Sequence, residues 1–99
     1  MTELELYRQW IDEVDAQLAE LFEKRFAIVK NVIAYKTANN IPVQDTGREA
    51  VIIEKNTDRI TNSELRPYFK KWYEEMIALS REYQEDIRKE KERKGNDEQ

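Results

Sequence analysis

Tyr7, Ile11, Val14, Leu18, Leu21, Ile28, Val32 and Tyr35 recur at alternating steps of four and three, with Arg25 filling the one gap in the series. That is the period of one helical face. No Gly or Pro interrupts residues 3–38, so one long helix is expected there. It stops in Thr37-Ala38-Asn39-Asn40-Ile41-Pro42, because the residue before a proline is pushed out of helical geometry. Thr46-Gly47-Arg48-Glu49 has the spacing of a capping box, with Asp45 as an alternative cap. Val51, Ile52, Ile53 and Ile60 give the second helix an apolar side to about residue 60. Thr61-Asn62-Ser63 reads as a turn, and Pro67 suits the first turn of a third helix. Phe69, Trp72, Met76, Tyr83 and Ile87 carry its stripe to about residue 89. The expected fold is all-α, with one long, one short and one medium helix in a domain over residues 1–89. Residues 90–99, charged and containing Gly95, read as a disordered tail.

Length turns this pattern into an assembly argument. A helix of about 36 residues extends ~54 Å, whereas a compact domain of about 100 residues has a radius of gyration of ~13 Å. Two further helices of about 15 and 23 residues, at 1.5 Å per residue, cover the long one only in part. A second copy related by a two-fold axis is the simplest cover for its stripe. A homodimer of six helices, three from each chain, is therefore expected.

Composition narrows the chemistry. Hydrophobic and charged residues are nearly equal, at 39% and 38%, with only two Gly and two Pro, which favours helices. The chain has neither Cys nor His. Disulfides, thiolate and imidazole metal sites, serine-hydrolase triads and histidine acid–base catalysis are excluded together. No metal or cofactor is expected, and any catalysis falls to Arg, Lys, carboxylates, hydroxyls and amides. A net charge of −4 argues against nucleic-acid binding by phosphate neutralisation. No apolar run approaches the ~20 residues of a membrane span. Met1-Thr2-Glu3-Leu4-Glu5-Leu6 lacks a signal peptide's basic-then-apolar layout, so a soluble cytoplasmic protein is expected.

Several polar residues occupy positions where a core is expected. Arg25 lies in the apolar register between Leu21 and Ile28, where it either snorkels to the bundle edge or faces a ligand. Lys36 follows eleven residues later, close to three whole turns, and points the same way. Two inward cations need an anionic ligand or buried carboxylates to balance them. Ser80 and Gln84, one turn apart beside the third stripe, are either a satisfied polar pair or hydrogen-bonding groups for a ligand. Glu49 can serve simply as a cap partner, while Arg48 in a first turn opposes the helix dipole. Arg8 lies on the side of Ile11, Asp12 and Asp15, where an ion pair is the ordinary alternative.

Taken together, Arg8-Gln9-Trp10-Ile11-Asp12-Glu13-Val14-Asp15 with Leu18, Leu21 and Arg25 resembles the opening helix of the all-helical chorismate mutases. Lys36 and Pro42-Val43-Gln44-Asp45-Thr46-Gly47-Arg48-Glu49 resemble that family's loop and second helix, and Ser80-Arg81-Glu82-Tyr83-Gln84 its third-helix site segment. The likeness runs from about residue 4 to residue 88. It implies an intertwined dimer with two equivalent sites, each taking Arg8 from the other chain, and a role in phenylalanine and tyrosine biosynthesis. It further implies that Arg25 and Arg8 clamp the two carboxylates of chorismate, with Arg48 and Ser80 assisting. Lys36 and Gln84 would donate to the breaking ether oxygen. Glu49 would accept the ring hydroxyl, and the Asp45 region would help position that group through its backbone. Competing readings are an isochorismate-pyruvate lyase of the same fold, whose members tend to depart from the Asp45…Arg48-Glu49 pattern, and a non-catalytic helical adaptor, which should carry apolar residues at the positions of Arg25 and Ser80, with that of Lys36 a further candidate.

Overall fold

Thr2 begins the first helix by accepting a hydrogen bond from Glu5 N while the Glu5 carboxylate accepts one from Thr2 N, a reciprocal cap that satisfies donors the first turn would otherwise leave open. The computed structural model describes residues 1–97, and all its regular elements are helical. Helix α1 spans Glu3–Ala38, α2 spans Thr46–Asp58, and α3 spans Arg66–Asp97 after a 3₁₀ turn at Ser63–Leu65.

The α1 terminus is built by its sequence. Asn40 adopts a left-handed φ of 56°, Ile41 N donates to Lys36 O at 2.8 Å, and Asn40 N donates to Thr37 O at 3.5 Å. This is a Schellman closure with asparagine in the place glycine usually takes. Pro42 follows and prevents continuation. Arg88 of α3 reinforces the turn, donating to Ile41 O at 2.9 Å and to Thr37 Oγ1 at 3.3 Å. The loop leading to α2 is thereby held close to the last turn of α1.

Two boundaries differ from expectation. The cap of α2 is Asp45, whose Oδ1 accepts from Arg48 N at 3.0 Å. Thr46 is already helical, so the expected Thr46…Glu49 box does not form, and Glu49 is released for another partner. Helix α3 continues to Asp97, past the expected stop near residue 89. Residues 88–94 are all Arg, Lys or Glu, good helix formers with opposite charges one turn apart. The Arg93–Glu90 pair at 2.7 Å is one such contact. Residues 98 and 99 of the expected tail lie outside the described residues.

Helix α3 packs against both α1 and α2 and joins them. Val29 and Ile33 of α1 and Tyr73 and Ile77 of α3 are buried, Ile33 completely. Phe26 meets Tyr83 at a centroid distance of 5.4 Å, and Phe69 stacks on Tyr73 at 5.5 Å. The Tyr73 hydroxyl accepts from Asn56 Nδ2 of α2 at 3.1 Å, so the ring fills the core with its polar end satisfied.

The face of α1 that meets α3 is not the stripe read from the sequence. It is the adjoining edge through Phe26, Val29 and Ile33, while Tyr7, Ile11, Val14, Leu18, Leu21, Ile28, Val32 and Tyr35 remain exposed. On α3, Tyr73 and Ile77 carry the contact, and Trp72, expected in the stripe, is 54% exposed. The chain measures 63 × 31 × 15 Å with a radius of gyration of 17.9 Å, well above the ~13 Å of a compact domain this size. Among the described residues, no helix is long and apolar enough to cross a membrane.

Candidate active site

A cavity of about 190 Å³ opens where α1, the α1–α2 loop, α2 and α3 converge. Each wall follows from local structure. Arg25 and Lys36, three turns apart on α1, face it together, with Val29 and Val32 between them. The Asp45 cap sets the first turn of α2 so that Arg48, Glu49 and Ile52 line the opposite side. Helix α3 supplies Ile77, Ser80, Arg81 and Gln84 at helical spacing. Seven residues singled out in the sequence therefore line one cavity: Arg25, Lys36, Asp45, Arg48, Glu49, Ser80 and Gln84.

The eighth does not. Arg8 is exposed, and it pairs with neither Asp12 nor Asp15, the ion pairs among the described residues being Arg81–Glu49 and Arg93–Glu90. Seventeen residues separate it from Arg25, which is ~25 Å along the helix axis. No arginine side chain spans that distance within its own chain.

The bonding inside the cavity is sparse and directed. Lys36 Nζ donates to Val43 O at 2.9 Å, tying the loop to the end of α1. Arg25 Nη1 donates to Ser80 Oγ at 3.4 Å, so the guanidinium leans across to α3 rather than into solvent. Ser80 and Gln84 are 5% and 8% exposed, which places both polar side chains in the core and not at a wet bundle edge. Gln84 Nε2 donates to Ser80 O at 3.3 Å, and Gln84 Oε1 is buried with no hydrogen-bond partner among the described residues. An unmet amide oxygen costs about 1–3 kcal/mol unless something fills its place. The amide also has a second N–H to offer.

Charge points the same way. Arg81 and Glu49 offset each other, and the remaining cavity cations Arg25, Lys36 and Arg48 exceed Asp45 by two positive charges. A small dianion would balance them. A larger groove of about 450 Å³ between α2 and α3 holds Glu54, Asp58 and Glu74 against the single Lys70, the wrong sign for such a ligand.

Arg81 was not singled out from the sequence as a site residue. Its Nη1 donates to Glu49 Oε1 at 2.6 Å, joining α3 to α2 beside the cavity. The available signal was its position three residues before Gln84, which makes the two neighbours on one helical face. The acceptor at Val43 is a backbone carbonyl, for which side-chain pattern carries no signal.

Comparison with known proteins adds to this geometry. Residues 7–85 match the family model described as chorismate mutase type II. Over 52 residues the chain is 35% identical to a bifunctional chorismate mutase/prephenate dehydratase of Buchnera aphidicola subsp. Schizaphis graminum (strain Sg). That alignment covers 52% of this chain and 14% of the relative, so the chain matches a small part of a much longer protein. The family match takes in well over half of the chain, including Arg8 and every cavity residue named above: the protein belongs to the chorismate mutase type II family.

Proposed function

We propose that the chain is a chorismate mutase that converts chorismate to prephenate within an intertwined homodimer, serving phenylalanine and tyrosine biosynthesis in the cytoplasm. The observation that carries this reading is the convergence of Arg25, Lys36, Arg48, Ser80 and Gln84 on one cavity with two surplus positive charges. Chorismate is a dianion with an enolpyruvyl ether on a hydroxylated ring. Its rearrangement is unimolecular: one C–O bond breaks as one C–C bond forms, with no nucleophile and no proton transfer.

The side chains suit the two tasks that remain. Arg25, held toward α3 by Ser80, and Arg8 of the second chain grip the two carboxylates, with Arg48 assisting. Planar guanidinium forks fix direction as well as charge, which holds the flexible ether in its folded reactive shape. Lys36 and Gln84 donate to the ether oxygen as it gathers negative charge, an effect worth roughly 3–4 kcal/mol per preorganised donor. Glu49 accepts the ring hydroxyl, and the backbone near Asp45 helps to place it.

The dimer is supported by two features of the single chain. The α1 stripe from Tyr7 to Tyr35 is exposed along the whole helix, more contiguous apolar surface than soluble monomers usually present. Arg8 also stands too far from its own cavity to serve it. A two-fold pairing of α1 with its copy covers the stripe and brings each Arg8 to the other chain's site.

Purified protein supplied with chorismate should yield prephenate as the sole product. Turnover of isochorismate with release of pyruvate, and none of chorismate, would replace this reading with the lyase. Inertness on both, with no ligand-induced thermal stabilisation, would favour the adaptor.

A further inference from the structure

We infer that Arg81 is a specificity-determining positioning residue, which aims the Glu49 carboxylate at the substrate's ring hydroxyl. The inference rests on the mutase reading above and adds a residue to it.

The geometry begins with the cap of α2. Because Asp45 takes that role, Glu49 has no N-terminal donor to satisfy, and its side chain turns into the cavity wall. Glutamate carries three side-chain torsions and does not stay in one place unaided. Arg81 supplies the restraint from the facing helix, with Nη1 on Oε1 at 2.6 Å. The pair is largely shielded from solvent, with side-chain exposures of 29% and 20%. It is therefore better defined than a pair on an open surface, where ion pairs have little net effect.

The contact engages one carboxylate oxygen. Oε2 has no partner among the described residues and remains available to accept a hydroxyl proton. A carboxylate held through one oxygen is a directed acceptor, whereas an untethered one beside Arg25, Lys36 and Arg48 would have several competing cationic partners. Arginine suits this better than lysine, since its donors lie in a rigid plane. Arg81 is assigned no substrate contact of its own. Its effect passes through Glu49, so it should matter most for substrates that carry the hydroxyl.

The test compares chorismate with the analogue lacking the ring hydroxyl, on the 99-residue chain. Arg81→Ala should lower kcat/KM for chorismate about 10- to 100-fold, the loss expected for one misdirected charge-assisted hydrogen bond. On the analogue, which carries the same charge, the loss should be smaller than on chorismate by at least about fivefold. Arg81→Lys should recover part of the chorismate rate. Arg81→Ala combined with Glu49→Gln should be no worse than Glu49→Gln alone, within about threefold, because the two act as one unit. Thermal melts of each variant show whether it remains folded. Equal losses on both substrates would overturn the inference, whether they come from lost folding or from direct contact with a carboxylate. So would an Arg81→Ala rate on chorismate within about twofold of the parent. A parent protein inert on chorismate would remove the mutase reading, and this inference with it.

Discussion

Replacing Lys36 by methionine separates catalysis from structure at one position. Methionine keeps a long apolar stem and removes the ammonium, so packing beside Val29 and Val32 is largely preserved. The ammonium has three N–H donors, and one is spent on Val43 O at 2.9 Å. In the proposed mechanism the remaining donors serve the breaking ether oxygen. Losing a donor of this type costs roughly 3–4 kcal/mol of transition-state stabilisation, or about 10²–10³ in kcat. The structural cost is smaller: the Val43 carbonyl loses one hydrogen bond, about 1 kcal/mol net, or roughly 4–8 °C in Tm for a chain of this size. Rates of prephenate formation at saturating chorismate, measured with thermal melts, distinguish the two effects. A kcat within about threefold of the parent, or a loss confined to KM, would refute the ether-oxygen role, because uniform binding does not accelerate the chemical step.

Gln84→Glu should make the rate fall as pH rises, since only the protonated acid donates a hydrogen bond; a flat pH–rate profile would count against Gln84 as a donor. Ile33→Ala removes a side chain with no solvent exposure and should cost about 2–5 kcal/mol in denaturant unfolding; a loss under about 1 kcal/mol would place the core elsewhere. Leu18→Glu puts a charge in the exposed α1 stripe and should abolish both the dimer, read by light scattering, and the activity; an active monomer would contradict the shared site.

Much of the helical layout was legible because it depends on local signals. The absence of Gly and Pro fixed the extent of α1, and Pro42 and Pro67 marked the breaks. Other features depend on competition between equally good local options. Thr46 and Asp45 both suit a cap, and only the folded chain reveals that Asp45 is used. The helical continuation of α3 runs through strong helix formers at residues 88–94 with one Arg93–Glu90 pair, a stretch that composition alone presented as a solvated tail. The stripe on α1 had the right period but was one edge away from the contact with α3. An apolar face wide enough for two partners does not reveal which edge each one takes. Arg25, Lys36, Ser80 and Gln84 were readable because polar groups on an apolar face conflict with local expectation, whereas Asp45, Arg48 and Glu49 looked like ordinary cap and first-turn residues and stood out only through the family resemblance. Arg81 was hidden inside a strongly charged helix, where one more arginine raises no conflict.

Mixing two crippled variants, Arg8→Ala and Lys36→Met, tests the shared site most directly. Each alone should form prephenate at a small fraction of the parent rate. After the two are unfolded and refolded together, mixed dimers contain one site with both residues intact and one with neither. Random pairing should then restore about a quarter of the parent activity. A mixture no more active than its components, although mixed dimers have formed, would contradict the contribution of Arg8 across the interface.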